Sequence, residues 1–425
     1  MQGEPIYFRY KMNIKRIVYI TGLIILTGCN SKKNNDIDAR LKVSDLRDTI
    51  SFAMNTENAV TITVPPPAEG MKVSNIFEDF KYIPLESSEN SLMGQYQNAD
   101  IYEDRIFIHD VETNMVYIFD MQGKFIHKVG KRGNGPGEFF QPESMTIDPF
   151  RKQLLVYDTF IKKIFYFTLD GEFLRTEQMA IRSYQNFKVI NPNLIAFGVN
   201  RTCENPQLEE INNYNIIYTD SALNVRGGIY KEGENYIPHF SLPSFSTNGK
   251  QVYYTPPYTS DVYKFAGDTL VHQFHLDYSK WENHFDLDKL KALKANQKGG
   301  YYYNSIHVSP PVLSSNRFLL FKTITEEAND DFYSYYDKAT GEILSFNIYT
   351  MKAENDLLFT TVLGSYEDYF IGYASASSLS YLKENREKAG VKMKPEISNM
   401  IDSLYTDDND VLVLFKMKPI QKIPQ

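Results

Sequence analysis

The chain has 425 residues, of which 42% are hydrophobic and 14% aromatic, and its formal net charge is −8. This apolar content is enough for one large domain of repeated units or for two ordinary domains. An acidic chain with no Lys/Arg run longer than a pair is repelled by phosphate backbones, which excludes nucleic acid as an expected partner.

Residues 1–28 predict an export signal rather than folded structure. The basic pair Lys15 and Arg16 precedes an apolar run at residues 17–26. This run is too short for a membrane-spanning helix, which needs about 20 apolar residues. Met12 lies just before the basic pair, so we interpret residues 1–11 as an over-extended start.

The sequence Leu-Thr-Gly-Cys at residues 26–29 resembles the lipobox of bacterial lipoproteins. The resemblance implies a mature chain that starts at Cys29, whose thiol carries a lipid anchor in a membrane. The only other cysteine is Cys203, so acylation of Cys29 leaves no intramolecular disulfide and stability must come from the core. Removal of residues 1–28, which carry four basic and one acidic side chain, lowers the formal net charge to −11.

The polar residues 29–40 lack an apolar period and predict a tether between the lipid and the folded domain. Residues 41–71 follow as an N-terminal extension, in which residues 59–64 could form a strand that the prolines at 65–67 would end. We expect the main domain to occupy residues 72–420, where short β-branched and aromatic runs alternate with turn-forming residues.

The main domain contains an internal repeat with an offset of 48 residues. Residues 106–125 read IFIHDVETNMVYIFDMQGKF and residues 154–173 read LLVYDTFIKKIFYFTLDGEF, so that Asp110 aligns with Asp158 and Gly123 with Gly171. Weaker copies begin near residues 194, 251, 317 and 368. A strand-built period of about 50 residues is typical of a propeller blade. The sequence therefore predicts an all-β fold, a six-bladed β-propeller of four-stranded antiparallel blades.

Three further segments complete this prediction. The strand-like FKYIPLE at residues 80–86 is a candidate to complete the last blade, because a ring hides its strand edges only when its ends are joined. Residues 281–297 and 377–405 have apolar residues at helical spacing and predict short helical insertions. Such insertions lie on the faces of a propeller, where we expect specificity.

Three stretches resemble the six-bladed β-propeller lipoproteins of Bacteroidota, which are related to NHL-repeat and TolB-like propellers. They are FEDFKYIPLESSENSLMG at residues 77–94, GKRGNGPGEFFQPESMTID at 130–148 and DDNDVLVLFKMK at 407–418. The resemblance implies the fold and a cell-envelope location in the outer membrane, on its periplasmic or its surface side. It implies no particular activity, although many members resemble accessory proteins of nutrient-uptake systems.

The glycine-rich stretch at residues 133–138 invites comparison with a phosphate-binding loop. No Lys-Ser/Thr pair follows it, Pro136 has no N–H group to donate, and the next residues predict a strand rather than a helix. We therefore interpret this stretch as a turn between blades.

The histidine spacing does not favour a metal site. His272 and His275 are the closest pair, but residues three apart on a strand are expected to point to opposite faces. His109 in the first repeat aligns with Tyr157 in the second, so the pattern of channel histidines in related metal-dependent lyases is not sustained. We predict no metal and no cofactor.

No pattern indicates catalysis either. Asp110 and Asp158 occupy equivalent turns, and an Asp that caps the backbone after it explains why this residue recurs. The serines lack a GxSxG context, and Cys203 has no histidine close to it in sequence. We therefore predict no catalytic residue.

Tyrosine-rich segments, which we expect to be loops, are the best candidates for ligand contacts. Flat rings with a polar tip can stack on sugars or anchor a protein partner. The candidates are Tyr253, Tyr254, Tyr258, Tyr301, Tyr302 and Tyr303.

These features favour an envelope-anchored binding or scaffold lipoprotein that recognises a glycan, a peptide or a partner protein through one propeller face. An outer-membrane uptake complex is one such partner. A further alternative is a structural lipoprotein that only stabilises this complex. The alternative is a hydrolase or lyase with its site at the mouth of the central channel. Such an enzyme requires converging carboxylates or at least three metal-ligating side chains at one end of the channel.

Overall fold

The computed structural model describes residues 54–421, except residues 185, 200–204, 232–243, 257–258, 294, 326–329, 349–360 and 390–393. The predicted export signal, the lipidation site Cys29, the tether and Cys203 lie outside the described residues. No helix in the described part of the chain combines the length and the apolar character that crossing a membrane requires.

The first described segment precedes the blades and supplies strands to two of them. It contains β1 (Met54–Asn55), β2 (Val60–Thr63), the helix α1 (Val73–Ile76) and β3 (Phe77–Pro84).

Six antiparallel sheets form the blades of a ring. Blade 1 contains β4 (Tyr96–Tyr102), β5 (Arg105–Asp110), β6 (Met115–Asp120) and β7 (Phe125–Val129). Blade 2 contains β8 (Pro142–Asp148), β9 (Gln153–Asp158), β10 (Lys163–Thr168) and β11 (Phe173–Gln178). Blade 3 contains β12 (Phe187–Asn191), β13 (Leu194–Gly198), β14 (Tyr214–Thr219) and β15 (Val225–Lys231).

The second half of the ring repeats this plan. Blade 4 contains β16 (Phe245–Asn248), β17 (Gln251–Tyr254), β18 (Asp261–Ala266) and β19 (Thr269–Asp277). Blade 5 contains β20 (His307–Ser314), β21 (Phe318–Ile324), β22 (Phe332–Asp337) and β23 (Glu342–Phe346). Blade 6 contains β24 (Thr361–Tyr366), β25 (Tyr369–Ala374), β26 (Val411–Met417) and β3. The predicted six-bladed propeller of four-stranded antiparallel blades is confirmed.

The core lies between the blades, in six clusters that each join two neighbours. Phe107 of blade 1 shares a cluster with Phe165 of blade 2, and Ile108 of blade 1 shares the next with Ile371 of blade 6. Because neighbouring blades cover both faces, β5 and β6 are nearly continuous buried runs rather than alternating ones. No blade is stable alone, since each sheet needs a neighbour on either side.

The ring closes because β3, from the N-terminal side, pairs with β26 near the C-terminal end. Phe80 lies opposite Phe415 in this antiparallel pair. The prediction that the segment around Phe80 completes the last blade is therefore confirmed. Main-chain hydrogen bonds and apolar packing thus join the two ends of the propeller.

The strands β1 and β2 lie parallel to β19 at the outer edge of blade 4, which gives this sheet six strands. The strand predicted at residues 59–64 is present as Val60–Thr63. Ile62 and Val64 are almost fully buried, at 3% and 1% exposure, within the cluster between blades 4 and 5. The described part of the N-terminal extension therefore packs as an edge of blade 4.

In the described part of the chain, a 3-10 helix (Pro206–Asn213) connects β13 to β14, and α-helices are inserted between other strands at two places. α2 (Leu287–Ala292) and α3 (Ala295–Tyr303) connect blade 4 to blade 5, where the sequence predicts one helix over residues 281–297. α2 begins late because the Asp286 carboxylate accepts hydrogen bonds from the backbone N–H groups of Asp288 and Lys289. As predicted over residues 377–405, α4 (Ala376–Ala389) and α5 (Pro395–Ser403) lie between β25 and β26.

Candidate functional site

A cavity of about 600 Å³ lies where the inner strands of the blades converge. All six inner strands, β4, β8, β12, β16, β20 and β24, contribute to its wall. The cavity is therefore the central channel of the ring. Its volume falls in the range of about 300–1,000 Å³ that is typical of small-molecule sites.

Aromatic hydroxyls and side-chain amides supply much of the polar wall. They belong to Tyr96, Tyr184, Tyr333, Tyr373, Gln95 and Asn98. The rings of Tyr96 and Tyr373 meet edge to face with centroids 5.5 Å apart. Burial raises the pKa of Tyr96 well above its ordinary value, so this hydroxyl keeps its proton at neutral pH.

Two ion pairs neutralise charged side chains of the cavity wall. Nζ of Lys188 in β12 lies 3.4 Å from Oδ2 of Asp100 in β4, and both side chains are largely buried. Nζ of Lys322 in β21 lies 2.8 Å from Oδ2 of Asp331. Glu143 adds a third carboxylate to the wall. Because Asp100 and Asp331 are held in ion pairs with lysines, the cavity is better suited to hydrogen bonding with a polar ligand than to proton transfer.

His109 also lines the cavity, yet it is only 1% exposed. Burial lowers the pKa of His109 to about 4, so the imidazole is neutral at physiological pH. The backbone of Pro142 favours the protonated imidazole, but its effect is smaller than that of burial. The aligned Tyr157 of blade 2 donates its hydroxyl to the carbonyl oxygen of Ile181, and the two positions are thus chemically different.

The repeated aspartates have the structural role that the sequence predicts. Oδ1 of Asp110 accepts hydrogen bonds from the backbone N–H groups of Glu112 at 3.0 Å and of Gln95 at 2.8 Å. Asp158 caps its own turn in the same way, accepting from the N–H of Phe160 at 2.9 Å. Both carboxylates are fully buried, which explains their recurrence without any catalytic role.

The glycine-rich loop connects β7 to β8, which confirms its interpretation as a turn between blades. The carboxylate of Glu138, within the loop, lies where an anion would bind. Its Oε2 accepts a hydrogen bond from the N–H of Gly135 at 2.9 Å. Nζ of Lys131 lies 3.7 Å from the other carboxylate oxygen. A phosphate would be repelled by this negative charge.

Tyr253 and Tyr254 lie in the strand β17, so the expectation that this segment is a loop is wrong. Their exposures are only 4% and 0%, because Tyr253 packs between blades 4 and 5 and Tyr254 between blades 3 and 4. Neither residue lines the central cavity. Tyr258 lies outside the described residues.

Tyr301, Tyr302 and Tyr303 end the helix α3, so the loop expectation is wrong for this segment too. Tyr302 is buried, with its ring centroid 4.0 Å from that of His307. Tyr301 is partly exposed, and the side chain of Tyr303 lies outside the described residues. A role in ligand contact stays a prediction for all six tyrosines.

His272 and His275 lie on one face of blade 4, which contradicts the expectation from their spacing. In the pairing of β18 with β19, Tyr263 opposes His272 and Val262 opposes Phe274, so the register skips Gln273. One extra residue in a strand moves the side chains beyond it to the opposite face. Local spacing could not reveal this bulge.

The polar residues of the cavity wall belong to no sequence motif, and motifs therefore do not predict them. Asn98, Asp100, Ser144 and Lys188 are polar residues inside inner strands. Polar residues within otherwise apolar strands of this repeat are the signal that could have found them.

Comparison with solved structures finds a candidate exported protein of Bacteroides fragilis, with a TM-score of 0.71 and 18% identity over 85% of this chain and 100% of that one. A member of the DUF4221 family from Bacteroides vulgatus has a TM-score of 0.44 and 13% identity over 81% and 98% of the two chains. The first similarity shows a shared fold. No protein of curated function matches the chain. The family model described as a domain of unknown function, DUF4934, matches residues 60–416, and the chain therefore belongs to the DUF4934 family.

Proposed function

We propose that this protein is a cell-envelope lipoprotein that binds a ligand in its central cavity and leaves the ligand chemically unchanged. The proposal rests chiefly on the cavity of about 600 Å³ to which every inner strand contributes. A rigid ring of paired strands holds these side chains in place, which favours specific recognition.

The envelope location is part of the same proposal. The basic pair, the apolar run and Cys29 support export followed by lipidation. The Bacteroides fragilis protein of similar fold is itself named as a candidate exported protein. We place the lipid anchor in the outer membrane, with the propeller on the periplasmic or the surface side. We also group the protein with the NHL-like and TolB-like lipoprotein propellers.

A glycan is the ligand class that fits the cavity best. Tyr184 and Tyr333 offer aromatic rings for stacking on sugar rings, and Asn98 offers an amide for hydroxyl groups. The ion pair of Lys322 with Asp331 supplies a donor and an acceptor without net charge. A peptide or a partner subunit of an uptake complex is the other kind of ligand that arrays and co-purification would reveal.

The hydrolase or lyase alternative receives less support from the cavity. Of the carboxylates that line the cavity, Asp100 and Asp331 form ion pairs with lysines. Within the described part of the chain, the one group of three side chains that could hold a metal ion consists of Asp261, His272 and His275. None of these three residues lines the cavity.

Binding is tested with the mature chain carrying Cys29→Ser, which removes the lipid and leaves the propeller intact. We expect glycan arrays to give a specific hit, and calorimetry to show at least tenfold weaker binding for Tyr184→Ala and for Lys322→Ala. Tyr405→Ala is the matched control, because Tyr405 is 75% exposed and does not line the cavity.

Two results would overturn the proposal. An array ligand whose affinity is the same in wild type, Tyr184→Ala and Lys322→Ala would place the binding site elsewhere. Conversion of the ligand by the wild-type protein would establish the enzyme alternative.

A further inference from the structure

A second group of polar side chains lies on β18 and β19 of blade 4, which are farther from the central channel than β16 and β17. Oδ1 of Asp261 lies 3.1 Å from Nε2 of His272 and 2.8 Å from Nδ1 of His275. The three side chains offer one ligand atom each, and these atoms all lie within 4.8 Å of one another. This rim cluster (Asp261, His272 and His275) comes together only because β19 contains the bulge at Gln273.

The rim cluster is supported by packing from two blades. The ring of Tyr263 stacks on that of His272, with centroids 4.9 Å apart and planes at 26°. Tyr230, in the outer strand of blade 3, contacts Tyr263 edge to face at 5.4 Å. The N–H of Asp261 donates to the hydroxyl of Thr259 at 3.3 Å. Ligands carried on paired strands and supported in this way need only small movements when the ion arrives or leaves.

Two imidazole nitrogens and one carboxylate oxygen form a donor set that suits zinc and other divalent transition metals. Bonds of about 2.0–2.2 Å at tetrahedral angles place donor atoms about 3.4 Å apart. The observed separations of 3.1 and 2.8 Å would therefore widen by a few tenths of an ångström. The carbonyl oxygen of Phe274 lies 3.1 Å from Nε2 of His272 and adds an oxygen beside the cluster.

The rim cluster is open on one side. The side chain of His275 is 45% exposed, whereas those of Asp261 and His272 are 24% and 15% exposed. An ion could therefore enter past His275 and keep its remaining coordination positions in solvent, as sites with three protein ligands do.

We propose that Asp261, His272 and His275 bind one divalent transition-metal ion at the rim of blade 4. This site is independent of the central cavity. The strand β2 pairs with β19 directly beside it, where Thr61 lies opposite His275. A bound ion would lock β19 to β18 at the edge on which this N-terminal strand is docked, and binding to the folded state alone raises stability.

The experiment uses the purified mature lipoprotein in detergent, freed of metal by a chelator and carrying no histidine tag. Zn²⁺ is titrated by calorimetry, and Co²⁺ absorption reports the coordination of the ion. We expect one equivalent of Zn²⁺ to bind and to raise the melting temperature. His275→Ala and Asp261→Asn should each weaken binding at least tenfold. The control is His127→Ala, which should not weaken binding, because His127 is an exposed residue of the outer strand β7.

The competing explanation is a purely hydrogen-bonded cluster, in which one carboxylate accepts from two imidazoles. Zn²⁺ affinity that is equal in wild type and His275→Ala, or no Zn²⁺ binding by the wild type, would establish that explanation and overturn the proposal. Circular dichroism checks that the variants fold. Because His275 is partly exposed, His275→Ala decides the question even if Asp261→Asn unfolds.

Discussion

Asn409, in the turn before the last strand, donates hydrogen bonds of 2.8 Å to the carbonyl oxygens of Glu86 and Ser91. Its side-chain oxygen accepts a hydrogen bond of 2.9 Å from the N–H of Met93. Residues 86–93 follow the closing strand β3 and lead into blade 1. One side chain, only 2% exposed, thus ties the C-terminal blade to the start of the ring.

Replacement of this amide should loosen the closure of the ring. We expect Asn409→Asp to lower the free energy of unfolding by about 3 kcal/mol, because a buried carboxylate would face two carbonyl oxygens without a proton to donate. Urea denaturation measures the change. Asn193→Asp, in an exposed turn, is the control and should cost less than about 0.5 kcal/mol. Equal losses for the two variants would contradict the role of Asn409.

Gly123→Ala should also destabilise the junction between the first and last blades. Gly123 has a φ of +81°, and an added Cβ would collide with the carbonyl oxygen of Pro84 in β3. We expect a loss of about 2–3 kcal/mol from backbone strain and displacement of the closing strand. In Gly249→Ala, φ is +59° and the Cβ meets open space, so only about 1 kcal/mol of strain should appear. A loss no greater than that of Gly249→Ala would contradict the close approach.

The pair of Lys188 with Asp100 spans blades 3 and 1 inside the cavity. We expect Asp100→Asn to destabilise the protein by about 2 kcal/mol, because it leaves a largely buried ammonium without its counter-charge. The double variant Asp100→Asn with Lys188→Met should recover most of this loss. Thermal unfolding of the wild type, Asp100→Asn, Lys188→Met and the double variant measures the coupling. Simple additivity of the two single changes would show that the side chains do not interact.

His109 makes the folded state sensitive to acid. Its folded pKa of about 4 lies below its ordinary value of 6.5, so the unfolded chain binds the additional proton between these two values. The contribution of the neutral His109 to the free energy of unfolding is therefore fully present above pH 6.5. It is lost as the pH falls towards 4. Between pH 7.5 and pH 5 we expect a loss of about 2 kcal/mol from this residue.

Denaturation of wild type and His109→Gln at the two pH values isolates this contribution, because the carboxylates titrate in both proteins. The variant should show the smaller dependence on pH. The same dependence in both proteins would mean that His109 is protonated as easily in the folded state as in the unfolded chain.

Repetition made the fold predictable from the sequence. The 48-residue offset aligns Asp110 with Asp158, and the structure places both at the ends of equivalent strands, β5 and β9. The closing strand near Phe80 was predictable because a ring of sheets needs its ends joined. These features follow from local strand patterns and from the need to cover apolar faces.

The candidate sites depend on relationships that no local pattern contains. Asp100 and Lys188 meet only because blades 1 and 3 surround one channel. His272 and His275 share a face only because Gln273 forms a bulge. The aromatic ring of Tyr253 suits a ligand contact and the core between blades equally well, and the sequence alone does not distinguish the two.

The central claim is that the cavity itself holds an unaltered ligand. A crystal structure of the protein with its array-selected glycan tests this most directly. We predict an intact glycan inside the ring, in contact with Tyr184 and Lys322. A glycan bound on the outer rim of the blades, or a cleaved one in the channel, would contradict the claim.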